Sequence, residues 1–167
     1  MAEETTMANF ETEDTQKDKY LTFHLAGENY GIEIQYVIEI IGIQNITEVP
    51  DMPVFIRGVI NLRGKVVPIM DVRARFGIEA RDYDDRTCII VVNIDNTEVG
   101  LVVDEVSEVM DIPEKNVEPA PKTHKNNEDS YIQGMGKMNA DVKILLDIHK
   151  LLFSGEMQAL TESLEDQ

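Results

Sequence analysis

The 167-residue chain has no tryptophan, one cysteine and three histidines, and aromatic residues make up only 6% of it. Positive charge is scarce too: 15 Lys and Arg stand against 32 Asp and Glu, a formal net charge of −17. That balance argues against nucleic acid and anionic membrane as direct partners. The lone Cys88 has no partner for an internal disulfide, and its place in the run CIIVV predicts an inert thiol in a buried strand. No apolar run approaches the ~20 residues that span a bilayer. The N-terminus has no basic region followed by an apolar stretch, so no signal peptide is expected. These absences predict a soluble, cytoplasmic protein without direct membrane insertion.

Catalytic apparatus is missing as well. His24, His124 and His149 are scattered, with no Cys, His or carboxylate at metal-ligand spacing, so no metal site and no cofactor are expected. GMGK at 134–137 lacks the upstream glycine and the following hydroxyl residue of a phosphate loop. Asp84-Asp85 and Asp104-Glu105 read as solvated turn or rim charges. No catalytic residue is assigned, and the chain is not expected to be an enzyme.

What remains is a body rich in β-branched residues and punctuated by turns. Much of the acidity lies in the tails: residues 1–18 and 155–167 hold ten carboxylates and one lysine. The first tail is expected to be disordered. Alternation predicts strands at 20–25, 30–34, 37–43, 59–62, 66–72, 87–94, 99–103, 106–111, 135–138 and 142–147. Short helical connections are expected at 53–57 and 72–76. A C-terminal helix is expected over 148–164, weakened at Gly155, with acidic tail beyond.

The chain also repeats itself. YGIEIQYVIEII at 30–41 aligns without gaps on VGLVVDEVSEVM at 99–110, matching Gly31 with Gly100 and Glu39 with Glu108. GVINLRGKVVPIMDV at 58–72 aligns with GMGKMNADVKILLDI at 134–148, matching Gly58 with Gly134. The offset grows between the blocks, which places an insertion in 113–133. The repeat predicts two β units of about five strands, each small enough to curl into a barrel and hide its edges. Units of this size have thin cores, so the two should pack together. The expected division is 19–84 plus the C-terminal helix, and 85–147. Arg57, Arg63, Lys65, Arg73 and Arg75 form a basic island around the 63–64 turn. It marks either a recognition surface or a set of charges balancing the chain's own carboxylates.

YGIEIQYVIEII, PDMPVFIRGVINLRGKVVPIMDVR and VGLVVDEVSEVMDIP together resemble the CheW family, the bacterial chemotaxis coupling proteins, over residues 19–153. The resemblance implies a mainly β fold of two five-stranded Src-homology-3-like barrels packed together. It implies a non-catalytic adaptor between the cytoplasmic tips of methyl-accepting chemotaxis receptors and the regulatory domain of the histidine kinase CheA. The free protein is then expected to be a monomer recruited to membrane receptor arrays through protein contacts. A coupling protein of a non-chemotaxis receptor–kinase pathway would share the same motifs. The family's receptor-facing groove maps onto Val37, Glu39, Ile40, Gly58, Asn61, Leu62, Arg63 and Val109. Its kinase-facing edge maps onto Glu28, Tyr30 and Ile34, and a second, ring-closing contact maps onto loop 118–123.

Overall fold

The computed structural model describes residues 16–120 and 131–153. Most of the expected N-terminal tail (1–15), the polar loop 121–130 with His124, and the expected helix and tail beyond 153 lie outside the described residues. Among the described residues, eleven strands form two sheets. They are β1 (Lys19–Leu25), β2 (Glu28–Glu33), β3 (Val37–Gly42), β4 (Ile56–Leu62), β5 (Lys65–Asp71), β6 (Cys88–Ile94), β7 (Thr97–Val103), β8 (Glu105–Asp111), β9 (Val117–Glu118), β10 (Ile132–Met138) and β11 (Asp141–Leu146). Two short helices, α1 (Val72–Arg75) and α2 (Ile148–Leu152), follow β5 and β11.

Tight turns build the hairpins. β1–β2 turns at Ala26-Gly27, β4–β5 at Arg63-Gly64 and β6–β7 at Asp95-Asn96, all with positive φ at both central residues. That backbone matches the right-handed twist of the flanking strands.

The strand order runs β8-β1-β2-β11-β10-β9 in one sheet and β3-β6-β7-β5-β4 in the other. The first half of the chain therefore lends its leading hairpin, β1–β2, to the second half. The second half lends its leading hairpin, β6–β7, to the first. Parallel pairs lock the exchange, β2 on β11 and β7 on β5. The division expected at residue 84 does not follow the sheets, because each barrel takes two strands from the other half. Gly31 and Gly100 sit at these seams. A Cβ on Gly100 would lie 2.6 Å from Ile69 Cδ1, and one on Gly31 would lie 3.0 Å from Leu145 Cδ2.

Each sheet curls into an SH3-like barrel, with the chain that leaves its end strand β3 or β8 returning to the far edge. Thr47 exchanges two backbone hydrogen bonds of 2.8 Å with Val59 on β4. The equivalent in the other barrel is β9, a strand of two residues inside the expected insertion, which pairs with β10. Both returns pass over a glycine. At Gly58 (φ +147°) a Cβ would overlap the Thr47 carbonyl, and at Gly134 it would meet Val117 and Glu118. The glycine of GMGK thus makes room for a neighbouring strand.

The largest apolar cluster lies between the barrels. It joins Leu21, Phe23 and Ile32 of one sheet to Met70, Ile90 and Leu101 of the other, and α2 covers it with Ile148, Leu151 and Leu152. Smaller clusters fill each barrel, around Ile60, Val67 and Ile89 in one and around Tyr20, Ile112 and Leu145 in the other.

The aspartates of the two φφDφ repeats are helix caps. Asp71 accepts from the Arg73 and Ala74 amides, and Asp147 accepts from the Lys150 amide. Asp71 is buried and also accepts from Arg57 and from the Tyr83 hydroxyl at 2.9 Å. Burial, then the Asp71 charge, pushes the Tyr83 phenol up to about 12. Arg75 lies over the rings of Phe55 and Tyr131 and donates to the Leu151 carbonyl, tying α1 to α2.

Local expectations fail at three places. Residues 53–57 form a single turn, closed by Ile56 N–H donating to Pro53 O, and then enter β4. Cys88 is only half-buried, opening β6 rather than sitting within it. Asp104 is not a solvated rim charge. It sits between β7 and β8, takes a two-pronged hydrogen bond from Arg73 at 2.8 and 2.7 Å, accepts from the Ala26 amide, and forms an ion pair with Arg81 at 3.3 Å.

Two predictions follow from these contacts. Gly58→Ala should cost at least ~2 kcal/mol in denaturant unfolding, because a backbone atom must move. Gly27→Ala, in open space at φ +81°, should cost only about 1 kcal/mol. Equal losses would contradict the close-approach role. Asp104→Asn should cost about 2–3 kcal/mol, since it leaves Arg73 largely buried beside a neutral group. The Arg73 hydrogen bonds hold the Asp104 carboxyl below its usual range. Its contribution is therefore present above about pH 4, the unfolded value, and is lost as pH falls through the lower native one. Urea midpoints of wild type and D104N should converge in that acid window.

Candidate partner-binding surface

The end strands β3 and β8 carry the apolar residues expected at the receptor groove. Both are bulged. On β3, Val37 faces Val92 and Ile40 faces Ile90, with the register shifting between them. Val92 and Ile90 both belong to the inter-barrel cluster. The bulge therefore turns Val37 and Ile40 to one side, although they are three residues apart. On β8, Val106 faces Phe23 and Val109 faces Leu21, again both members of that cluster. The buried Thr22 hydroxyl fills the β1–β8 irregularity, donating to Glu108 O at 2.7 Å and accepting from Glu108 N.

Ile40 is 43% exposed and Val109 49% exposed, while Val37 packs against the cluster. Repeat and structure agree here: Ile40 and Val109 are equivalent positions, one on each barrel. Each is exposed opposite a member of the inter-barrel cluster, Ile40 opposite Ile90 and Val109 opposite Leu21. Ile38, also on β3, is exposed as well.

The hairpin tip is built separately. Arg63 takes φ +51°, an unusual backbone for arginine, beside Gly64 at +85°. Asn61 Oδ1 accepts from the Gly64 amide at 2.8 Å and braces the turn. The Arg63 guanidinium donates to both oxygens of Glu39, at 2.5 and 2.6 Å. That two-point bond lowers the Glu39 carboxyl and raises Arg63. It also joins the β4–β5 tip to the opposite end strand of the same sheet. Arg63 remains 70% exposed, so it is fixed in pose yet available.

The rest of the basic island is spent within the chain. Arg57 pairs with Asp71, Lys65 with Glu98 and Arg73 with Asp104. Gly58 is occupied by the Thr47 return, and Leu62 packs inward against the barrel cluster with Ile41 and Ile43. Both positions therefore have a structural role.

The expected kinase-facing edge is not an edge. β2 pairs with β1 on one side and β11 on the other. Tyr30 is 9% exposed, stacked between Phe23 and Phe76. Ile34 lies in a single 3-10 turn and packs against the inter-barrel cluster. Glu28 alone of the three is exposed. Alternation on β2 made Tyr30 and Ile34 readable as core or surface, and the packing of the second half decides for core. Of loop 118–123, Glu118 lies on β9 and residues 121–123 lie outside the described residues. Among the described residues, no group of three or more His, Cys, Asp or Glu side chains is arranged to hold a metal ion.

Two barrels sharing one core, with an apolar rim on both and a braced exposed arginine, define a protein-binding adaptor module. The model of the CheW-like domain matches residues 19–156. A chemotaxis protein CheW of Klebsiella aerogenes is 41% identical over 144 residues, 86% of this chain and 87% of its own length. One from Bacillus subtilis is 33% identical, covering 81% and 86%. The crystal structure of the scaffolding protein TtCheW from Thermoanaerobacter tengcongensis superposes with a TM-score of 0.76 at 37% identity, covering 83% of this chain and 94% of that one. The chain belongs to the CheW family and is a chemotaxis adaptor.

Type I′ turns favour Asn-Gly over Arg-Gly, so the 63–64 turn keeps an arginine against local preference. Arg63→Asn should leave the thermal midpoint unchanged or higher while weakening receptor coupling. A fall in the midpoint would show that the Glu39 pair holds the barrel together.

Proposed function

We propose that this adaptor couples the cytoplasmic tips of methyl-accepting chemotaxis receptors to the regulatory domain of the kinase CheA, without chemistry of its own. The observation that carries the reading is the open rim of the inter-barrel core. A receptor tip is a helical hairpin, and such a helix is held by apolar anchors at helical spacing. Ile40 and Val109 supply anchors on two barrels, and Arg63 supplies a charge of fixed direction beside them. The braced turn gives orientation and specificity more than raw affinity.

The kinase contact rests on Glu28 and its surroundings, on a different strand from the rim. Two separate faces allow one molecule to hold both partners at once. A cytoplasmic monomer recruited to membrane arrays through these contacts is the corresponding location. No helix among the described residues is long and apolar enough to cross a membrane.

A three-component assay with CheA and receptor signalling fragments tests the proposal. Kinase activity should rise only when all three are present. Val109→Arg should weaken receptor binding at least tenfold and leave kinase binding intact. If wild type binds neither partner, or Val109→Arg leaves receptor binding unchanged, the reading fails.

A further inference from the structure

Helix α2 covers the inter-barrel core, yet it begins among like charges. Asp147 caps it, accepting from the Lys150 amide at 3.0 Å. In the parallel β2–β11 pair Gly31 lies beside Leu145. Two residues further along both strands, and so on the same face, Glu33 comes beside Asp147. The two carboxylates repel each other. Tyr36, in the 3-10 turn after β2, lies within reach of both and of Asp95. Asp95 belongs to the β6–β7 turn and faces His149 of α2, with Oδ2 3.5 Å from Nε2. Three carboxylates from three parts of the chain therefore converge where α2 starts. From the helix itself they meet His149, whose charge depends on pH, and the permanent charge of the exposed Lys150.

Glu33 is the least compensated of them. It is half-buried, it pairs across the sheet with Tyr20 of β1, and it lines a polar cavity with Gln16, Lys17, Asp18 and Gln35. Asp18 and Glu114 add two more negative charges around Tyr20. Lys17 is the one cation among those lining residues, and no Lys or Arg among the described residues forms an ion pair with Glu33. Burial pushes the Glu33 carboxyl above its usual range, the Gln35 hydrogen bond offsets part of that, and Asp147 adds to it.

We propose that these groups form an acid-strengthened latch on α2: a proton on Glu33 removes its repulsion of the Asp147 cap, and a proton on His149 creates an ion pair with Asp95 across to the β6–β7 turn. Both steps act in one direction. A carboxyl whose folded value is raised favours the native state most below its unfolded value, and that contribution is lost as pH rises through the folded one. Histidine side chains gain their charge between about pH 8 and 5. Asp84 and Asp104 are held low, so they titrate below this range. The 3-10 turn after Glu33 packs Ile34 and Tyr36 against the inter-barrel cluster and leads into β3. The latch thus lies between the cover of the shared core and the end strand that bears Ile40. It holds whichever partners the adaptor binds.

Amide hydrogen exchange of the full chain, followed by NMR between about pH 8 and 5 and corrected for intrinsic exchange, tests the latch. The reporters are the Leu151 and Phe153 amides, which donate to the Asp147 and His149 carbonyls. Their protection in wild type should rise severalfold as the pH falls. Glu33→Gln should already be severalfold better protected than wild type at the alkaline end, with a smaller slope. His149→Gln should match wild type there and lose the other part of the slope. The double variant should be flat. A wild type without pH dependence, a single variant with the full wild-type slope, or a double variant that keeps any large part of it would overturn the proposal. A lower thermal midpoint for Glu33→Gln at the alkaline end would overturn it as well, because the Glu33 charge would then be stabilising.

Discussion

The rest of the structure depends on the reciprocal exchange of two hairpins. β2 must run parallel to β11, and β7 parallel to β5, before either barrel has enough strands to curl. Gly31 and Gly100 permit the close approach at those seams. The exchange makes each barrel the template for the other. The largest core therefore lies between the barrels, not inside either. It also sets the surfaces. The end strands β3 and β8 flank the shared core, which is why an apolar rim is present on both barrels.

Charge is used sparingly on this frame. Most of the basic island serves the chain's own carboxylates: Arg57 braces the Asp71 cap, Lys65 pairs with Glu98, and Arg73 holds Asp104 at the β7–β8 corner. Arg63 is different, because its partner Glu39 fixes it without burying it. It also occupies a turn position where asparagine would relieve the backbone. Local sequence preference and tertiary structure disagree at that residue.

Much of this was legible in the sequence, and the parts that were not share a cause. The repeat, the strands, the glycines at 58 and 134 and the turn at 63–64 are local patterns, set by alternation and backbone geometry. Strand partnership is not local. Nothing in residues 19–33 says that they pair with 105–111 and 141–146, so a contiguous split looked natural. The same blind spot hid the packing of Tyr30, whose neighbour Ile144 comes from the other half of the chain. It also hid β9, whose two residues are a strand only because Gly134 lets them lie against β10. Asp104 looked solvated because its partner Arg73 lies 31 residues away. At the site, the sequence and the family resemblance located Glu39, Arg63, Ile40 and Val109 on the surface. They could not show that Gly58 admits the Thr47 return or that Leu62 packs on the barrel cluster.

The central claim is that one shared core presents two separate faces, one straddling both barrels for the receptor. Methyl NMR on the full chain, titrated with a receptor tip fragment, tests it most directly. Ile40 on one barrel and Val109 on the other should shift together, with a single dissociation constant, while Val142 and Ile144 stay still. Shifts confined to one barrel, or shared equally by Val142 and Ile144, would contradict the account.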